Sequence, residues 1–275
     1  MRIDSHQHFW KYDPVRNNWI DETMFVLRKD FLPEDLAPIL SANKVDGCIA
    51  VQADQSENET HFLLNLAQQN EFIKGVVGWV NLCDKNVEER LEHFSQNKYL
   101  KGVRHILQAE SEDFILKNDF QQGIKNLQKF GLTYDILIYP NQLKNTIALV
   151  KNFPEQKFVL DHIAKPYIKT SQIKEWEIDL RELANYQNVS CKVSGLITEA
   201  DWHQWKAEDF KPYFDVVFEA FGAKRTLFGS DWPVCLLAGD YEQVLHLIEN
   251  YLQQFSKEEQ ELIMGANTAT FYALS

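Results

Sequence analysis

The sequence predicts an α/β fold, a (β/α)8 barrel formed by residues 1–275 as a single domain, and three observations point to it. Eight short, strongly apolar runs recur along the chain, at residues 2–8, 46–52, 73–82, 100–107, 132–139, 157–163, 189–195 and 226–231. Longer stretches between them carry apolar residues at three- and four-residue spacing. The length of 275 residues suits one barrel, and no repeat, low-complexity tract or Pro/Gly/Ser linker divides the chain.

Each element has its own justification. Several runs, such as IKGVVGWVNL and LTYDILIY, are nearly continuous in apolar character, which parallel strands covered on both faces require. Strict alternation would instead indicate a half-exposed sheet. Residues 57–70 bring Phe62, Leu63, Leu66 and Ala67 to one helical face, and residues 143–153 do the same with Ile147 and Val150. Residues 208–221 are strongly aromatic, and residues 241–255 place Val244, Leu245, Ile248 and Leu252 together. Two connections are long, 9–32 and 194–207. The first contains Trp10, Tyr12, Arg16 and Trp19, and is expected to fold over the carboxyl end of the barrel, where barrels keep their chemistry.

Composition narrows the function. With 45% hydrophobic and 25% charged residues the chain is an ordinary globular protein, neither collagenous nor disordered. A net charge of −12 without a basic strip argues against nucleic acid as a partner, but leaves room for a small anionic substrate. Cys48, Cys83, Cys191 and Cys235 are widely spaced, as expected of reduced thiols in the cytoplasm. The opening Met1-Arg2-Ile3-Asp4-Ser5-His6 does not read as an apolar leader, and no apolar run reaches membrane-spanning length.

The chemistry-bearing residues sit at strand ends. His6-Gln7-His8 closes the first run, and alternation turns both imidazoles to one side, toward a metal ion or a polar substrate atom. The alternative is a pair of buried histidines satisfied by hydrogen bonds. Arg104-His105 lies late in the fourth run, Asp161-His162 ends the sixth and Gly229-Ser230-Asp231-Trp232-Pro233 ends the eighth. In a barrel these ends meet at one mouth, and a carboxylate facing histidines can activate water. Asp231 could instead cap a helix, and His162 could be a core histidine. Trp10, Trp79, Tyr139 and Trp232 could form an aromatic platform for a sugar ring, with Gln52, Asn81 and Lys165 as polar contacts, although each has a plain packing or surface reading. Lys192, a charge within a buried strand, needs a partner, and its direction is open. His61, His93, His203 and His246 fall in helical patterns and are assigned to surfaces or helix packing.

The H-x-H pair, DHIAKP, KVSGL and GSDWP, in that order, resemble the amidohydrolase superfamily, in particular its branch of sugar-lactone and pyrone-dicarboxylate lactonases. The resemblance runs nearly end to end. It implies that His6 and His8 are the first-strand pair, His162 the sixth-strand histidine and Asp231 the eighth-strand base, with Arg104 and His105 as substrate contacts. It further implies opening of an aldonolactone, such as L-fuconolactone, to its aldonic acid. The binuclear pattern is not matched, because a bridging lysine on the fourth strand and a histidine ending the fifth are both missing. Either no cofactor or one divalent metal, with zinc foremost, is therefore expected, held by His6, His8, His162 and Asp231.

A metal-free route is chemically coherent. Asp231 would take a proton from the attacking water, His6, His8, His162 and Arg104 would stabilise the oxyanion, and Asp231 or His105 would return a proton to the alkoxide. Two rival readings are a metal-dependent decarboxylase of an aromatic or unsaturated acid and a non-catalytic sugar-acid binding protein. A metal-dependent deoxyribonuclease fits less well, given the acidic chain. Whether the chain is a monomer or a homo-oligomer is open.

Overall fold

Eight parallel strands run in sequential order: β1 (Ile3–Gln7), β2 (Gly47–Val51), β3 (Ile73–Gly78), β4 (Leu100–Ile106), β5 (Thr133–Leu137), β6 (Phe158–Leu160), β7 (Val189–Val193) and β8 (Thr226–Phe228). The computed structural model describes residues 1–274. Closure comes just beyond β8, where Asp231 N donates to His6 O at 2.8 Å and His8 N donates to Trp232 O at 2.7 Å. A register shift between Asp4 and Gln7 keeps both His6 and His8 on the inner side of β1.

The helices that follow the strands are α1 (Pro33–Ala42), α2 (Glu57–Gln69), α3 (Val87–Ser95), α4 (Asn118–Leu127), α5 (Leu143–Asn152), α6 (Lys174–Ala184), α7 (Ala207–Phe221) and α8 (Tyr241–Leu252). Their starts are written in the chain: Ser56 accepts from Glu59 N ahead of α2, and Asp240 and Gln243 form a reciprocal capping box ahead of α8. The aromatic stretch becomes α7, which buries Phe210, Phe214 and Phe221 and stacks Phe218 on Tyr251 of α8. Two apolar layers result. One lies between sheet and helices, and the other fills the barrel floor with Ile3, Ile49, Val51, Val77, Val159, Leu227 and Tyr272.

Strand ends fall short of the apolar runs where the chain turns toward chemistry. The sixth run stops as strand at Leu160 because His162, Ile163, Ala164 and Lys165 all take positive φ, between 48° and 61°. The eighth stops at Phe228, and Asp231 follows at φ 57° ahead of a cis Trp232–Pro233 peptide. Four consecutive left-handed residues are costly, so tertiary contacts must hold them. The 9–32 connection is pinned by a two-way backbone pair between Trp10 and Phe31, and its turn at Glu22–Leu27 packs on the Val234–Leu237 turn beyond β8. Among the described residues no helix is long and apolar enough to cross a membrane.

Candidate active site

The inward alternation of β1 delivers His6 and His8 to the carboxyl end of the barrel, with their Nε2 atoms 3.2 Å apart. His8 Nδ1 meets the Val51 carbonyl at 2.8 Å, so that nitrogen carries the proton and Nε2 is left with a free lone pair. Asp231 Oδ1 lies 3.3 Å from His8 Nε2 and 3.9 Å from Nε2 of both His6 and His162. His162 is oriented from behind by Ser194 Oγ, 2.9 Å from its Nδ1. Residues far apart in the chain thus converge on one point.

Backbone geometry leaves little room for variation around that point. Gly195 has φ 63°, and a Cβ there would lie 2.5 Å from His162 Nδ1 and 3.0 Å from Asp231 Oδ2. Only glycine combines that conformation with that approach. Asp4, outward on β1, accepts from Ser230 N at 2.9 Å and Ser230 Oγ at 2.5 Å, which ties β1 to the residue before Asp231. Burial pushes the Asp4 carboxyl up to about 6 despite these bonds.

Beneath the histidines lies a buried ionic layer. Arg104 donates to Asp161 Oδ2 at 3.0 Å and to both oxygens of Gln52, with the side-chain contact at 3.0 Å. Lys192 Nζ sits 2.5 Å from Asp135 Oδ2, 3.0 Å from Asp161 Oδ1 and 3.1 Å from His6 Nδ1. Tyr272 Oη donates to the same Asp135 oxygen at 2.7 Å. Burial opposes ionisation of Asp161, but Lys192, His6 and Arg104 outweigh it and hold the carboxyl well below the ordinary range. Burial likewise disfavours charged Asp231, and His162, His8 and Lys165 reverse the balance, so it stays ionised. His6 and His162 are driven well below 6.5 by burial against the pull of Asp161 and Asp231, so both imidazoles are neutral.

The structure brings together His6, His8, His162 and Asp231, with Lys165 at the rim, where its ammonium donates to Glu199 at 3.0 Å and feels the charge of Asp231. Arg104 is inward but lies below the histidines, with its guanidinium engaged by Asp161 and Gln52. That corrects its expected place as a direct substrate contact. Gln52 is fully buried and locked to Arg104, so it too lies in the floor. His105 points outward, as the residue after an inward Arg104 must, and stacks on Phe114 while facing Glu110. Trp10 and Trp232 are each 2% exposed and pack around Phe31, with the Trp10 indole N–H on the Lys29 carbonyl, so neither offers an open face to a sugar. Asn81 shapes its own turn by accepting from Cys83 N. Trp79 is half-buried, and its indole N–H points to His105 Nδ1 at 3.4 Å.

Sequence reasoning placed Asp161 beside His162 at the mouth without giving it a role, and gave none to Asp135, Ser194 and Glu199. A signal existed for Asp135, an acidic residue in the middle of LTYDILIY, and for Ser194, which lies within KVSGL. Glu199 carries no local signal.

The donor chemistry fits one divalent ion. His6, His8 and Asp231 form a buried set whose ligand atoms lie within 4.8 Å of one another, and the His8 Nδ1 contact aims its Nε2 lone pair inward. A second grouping, His6, Asp161 and His162, shares His6 and has Arg104 and Lys192 each 3.0 Å from Asp161, so a second dication there would face two fixed positive charges.

Residues 3–274 match the amidohydrolase family. An L-fucono-1,5-lactonase of Burkholderia multivorans is 40% identical over all of this chain and 96% of its own length, and one of Burkholderia ambifaria is 33% identical with the same coverage. A crystal structure of an amidohydrolase from Burkholderia multivorans with bound zinc is 39% identical and superposes with a TM-score of 0.96, covering 100% of both chains. With the barrel, the strand-end histidines and aspartate and this full-length match in agreement, the chain belongs to the amidohydrolase family.

Proposed function

We propose that this protein is a lactonase that hydrolyses a sugar lactone, an aldonolactone such as L-fucono-1,5-lactone, to the aldonic acid. The observation that carries the reading is the ionised Asp231 carboxylate, held 3.3 Å from His8 and 3.9 Å from His6 and His162 at the barrel mouth. The 40% identity to an L-fucono-1,5-lactonase supports the choice of substrate class.

In this reading Asp231 takes a proton from water as the oxygen adds to the lactone carbonyl. The neutral imidazole of His162, braced by Ser194, stands beside the reacting face to favour the developing oxyanion, and Lys165 at the rim holds the substrate. Arg104 and Lys192 contribute from below by balancing Asp161 and keeping His6 in place. When the tetrahedral centre collapses, the ring C–O bond breaks and the proton on Asp231 passes to the departing alkoxide. His105 lies outside the cluster and has no part in that transfer. One divalent ion held by His6, His8 and Asp231, zinc as in the Burkholderia relative, would add Lewis-acid polarisation of the carbonyl and a lower water pKa when bound.

The same proposal places the enzyme in the cytoplasm, acting on a small molecule without nucleic-acid or membrane partners. All four cysteines are free thiols, which suits a reducing compartment. The test offers purified protein five- and six-membered aldonolactones, L-fucono-1,5-lactone among them, and follows acid release. Acceleration over the spontaneous rate is expected, and absence of acceleration on every member of the set would overturn the reading.

A further inference from the structure

His6 faces a contradiction in hydrogen bonding. Its Nε2 lies 3.3 Å from Arg104 Nη1 and its Nδ1 lies 3.1 Å from Lys192 Nζ, and both neighbours are obligate donors. A neutral imidazole has one acceptor nitrogen, so one contact is not a hydrogen bond. Each neighbour has a donor for the nitrogen that it faces. Arg104 Nη1 carries two N–H groups, one for Asp161 Oδ2 at 3.0 Å and one toward His6 Nε2, while Nη2 is taken by Gln52. Lys192 spends one N–H on Asp135 Oδ2 and has Asp161 Oδ1 at 3.0 Å and His6 Nδ1 at 3.1 Å for the others.

The far side of the ring favours one of them. His8 donates through Nδ1 to the Val51 carbonyl, so its Nε2 is an acceptor, and it lies 3.2 Å from His6 Nε2. A proton on His6 Nε2 completes an ordered chain from Lys192 through His6 and His8 to the Val51 carbonyl. In that state His6 has no lone pair at Nε2 to give a metal. The other tautomer has its own partner waiting. Asp161 Oδ1 is 3.3 Å from His6 Nδ1, and its other charged neighbour is Lys192 Nζ at 3.0 Å. A carboxylate accepting from Nδ1–H is the arrangement that turns the opposite imidazole nitrogen toward a metal ion.

We propose that Lys192 and Asp161 compete for Nδ1 of His6, Lys192 holding the site in a metal-free, hydrogen-bonded form and Asp161 converting His6 into a metal ligand. Lys192 is thus a positioning residue that sets metal affinity through the tautomer of His6. The inference is independent of which lactone, if any, is the substrate.

The test reads the tautomer directly. Protein labelled with ¹⁵N-histidine is stripped with EDTA, and long-range ¹H–¹⁵N spectra are recorded before and after zinc is added, with His6 assigned from its missing signal in His6→Asn. An unprotonated His6 Nδ1 and protonated Nε2 are expected without metal, with Nδ1 protonated after zinc. Protonated Nδ1 in the stripped protein, or a pattern that zinc leaves unchanged, overturns the proposal. Zinc affinity of Lys192→Met, measured by competition with a chromophoric chelator, is expected to tighten by about tenfold or more, the range over which partners of ligating histidines act. Unchanged or weaker binding by a folded variant overturns it. Should Lys192→Met fail to fold, Lys192→Met/Asp135→Leu removes charge and counter-charge together, and the wild-type spectra decide the matter without either variant.

Discussion

His6 and Asp231 meet at two levels: Asp231 N donates to the His6 carbonyl at 2.8 Å, and the Asp231 carboxylate lies 3.9 Å from His6 Nε2. The backbone bond that closes the barrel therefore also helps to set the distance between the proposed base and the imidazole. Closure and the proposed chemistry share a hydrogen bond, so activity is expected to be sensitive to changes at this seam.

Removing the base is the sharpest intervention. Asp231→Asn keeps shape and volume but cannot take a proton, so kcat on an aldonolactone is expected to fall by about 10²- to 10⁴-fold with little change in KM. Steady-state kinetics with an acid-release indicator measures the split, and a kcat within a factor of a few of wild type would remove Asp231 from the mechanism.

Gly195→Ala tests the packing around His162. The added Cβ must enter the space 2.5 Å from His162 Nδ1 at φ 63°. Strain of this kind costs about 1–3 kcal/mol, and activity is expected to fall further than stability because His162 is the atom group that moves. Thermal melts and kinetics on the same sample compare the two losses.

Lys165 is the charged group at the rim, and Lys165→Met is expected to raise KM by about tenfold while kcat changes by less, if it holds the substrate more than the transition state. An equal fall in kcat and kcat/KM would instead make it an oxyanion donor. Initial-rate curves separate the two outcomes.

Glu59 predicts a pH dependence of stability. Burial raises its carboxyl from 4.5 to about 7, even though it accepts a hydrogen bond from Ala53 N at 3.1 Å. The folded state therefore binds the proton more tightly than the unfolded chain, so the group's stabilisation is complete below pH 4.5 and is lost as pH rises to about 7, a change of about 3 kcal/mol. Asp4, raised to about 6, adds a slope of the same sign. Urea melts between pH 5 and 8 should show Glu59→Gln with a shallower decline than wild type, and parallel curves would count against the assignment.

Much of the barrel was legible because each strand is a local apolar run and each helix a local periodicity. His6, His8, His162 and Asp231 were legible for a related reason: they stand at run ends, and a barrel gathers run ends at one mouth. Two members of the aromatic platform were not. Trp10 and Trp232 also stand at run ends, yet the return of the 9–32 connection to pair Trp10 with Phe31 buries both rings. His105 was misplaced by the neighbour rule itself, since Arg104 took the inward side and strand alternation sent the next residue out.

By itself the sequence determined the eight-unit barrel, the four strand-end residues and the family resemblance, all of which depend on order and spacing along the chain. Only the tertiary structure decided that Lys192 turns inward to meet Asp135, Asp161 and His6, and that Arg104 and Gln52 form a floor and not a wall. Those pairings join residues separated by 31 to 186 positions. Their direction follows from which buried charge finds a counter-charge across the barrel, a condition that no local pattern encodes.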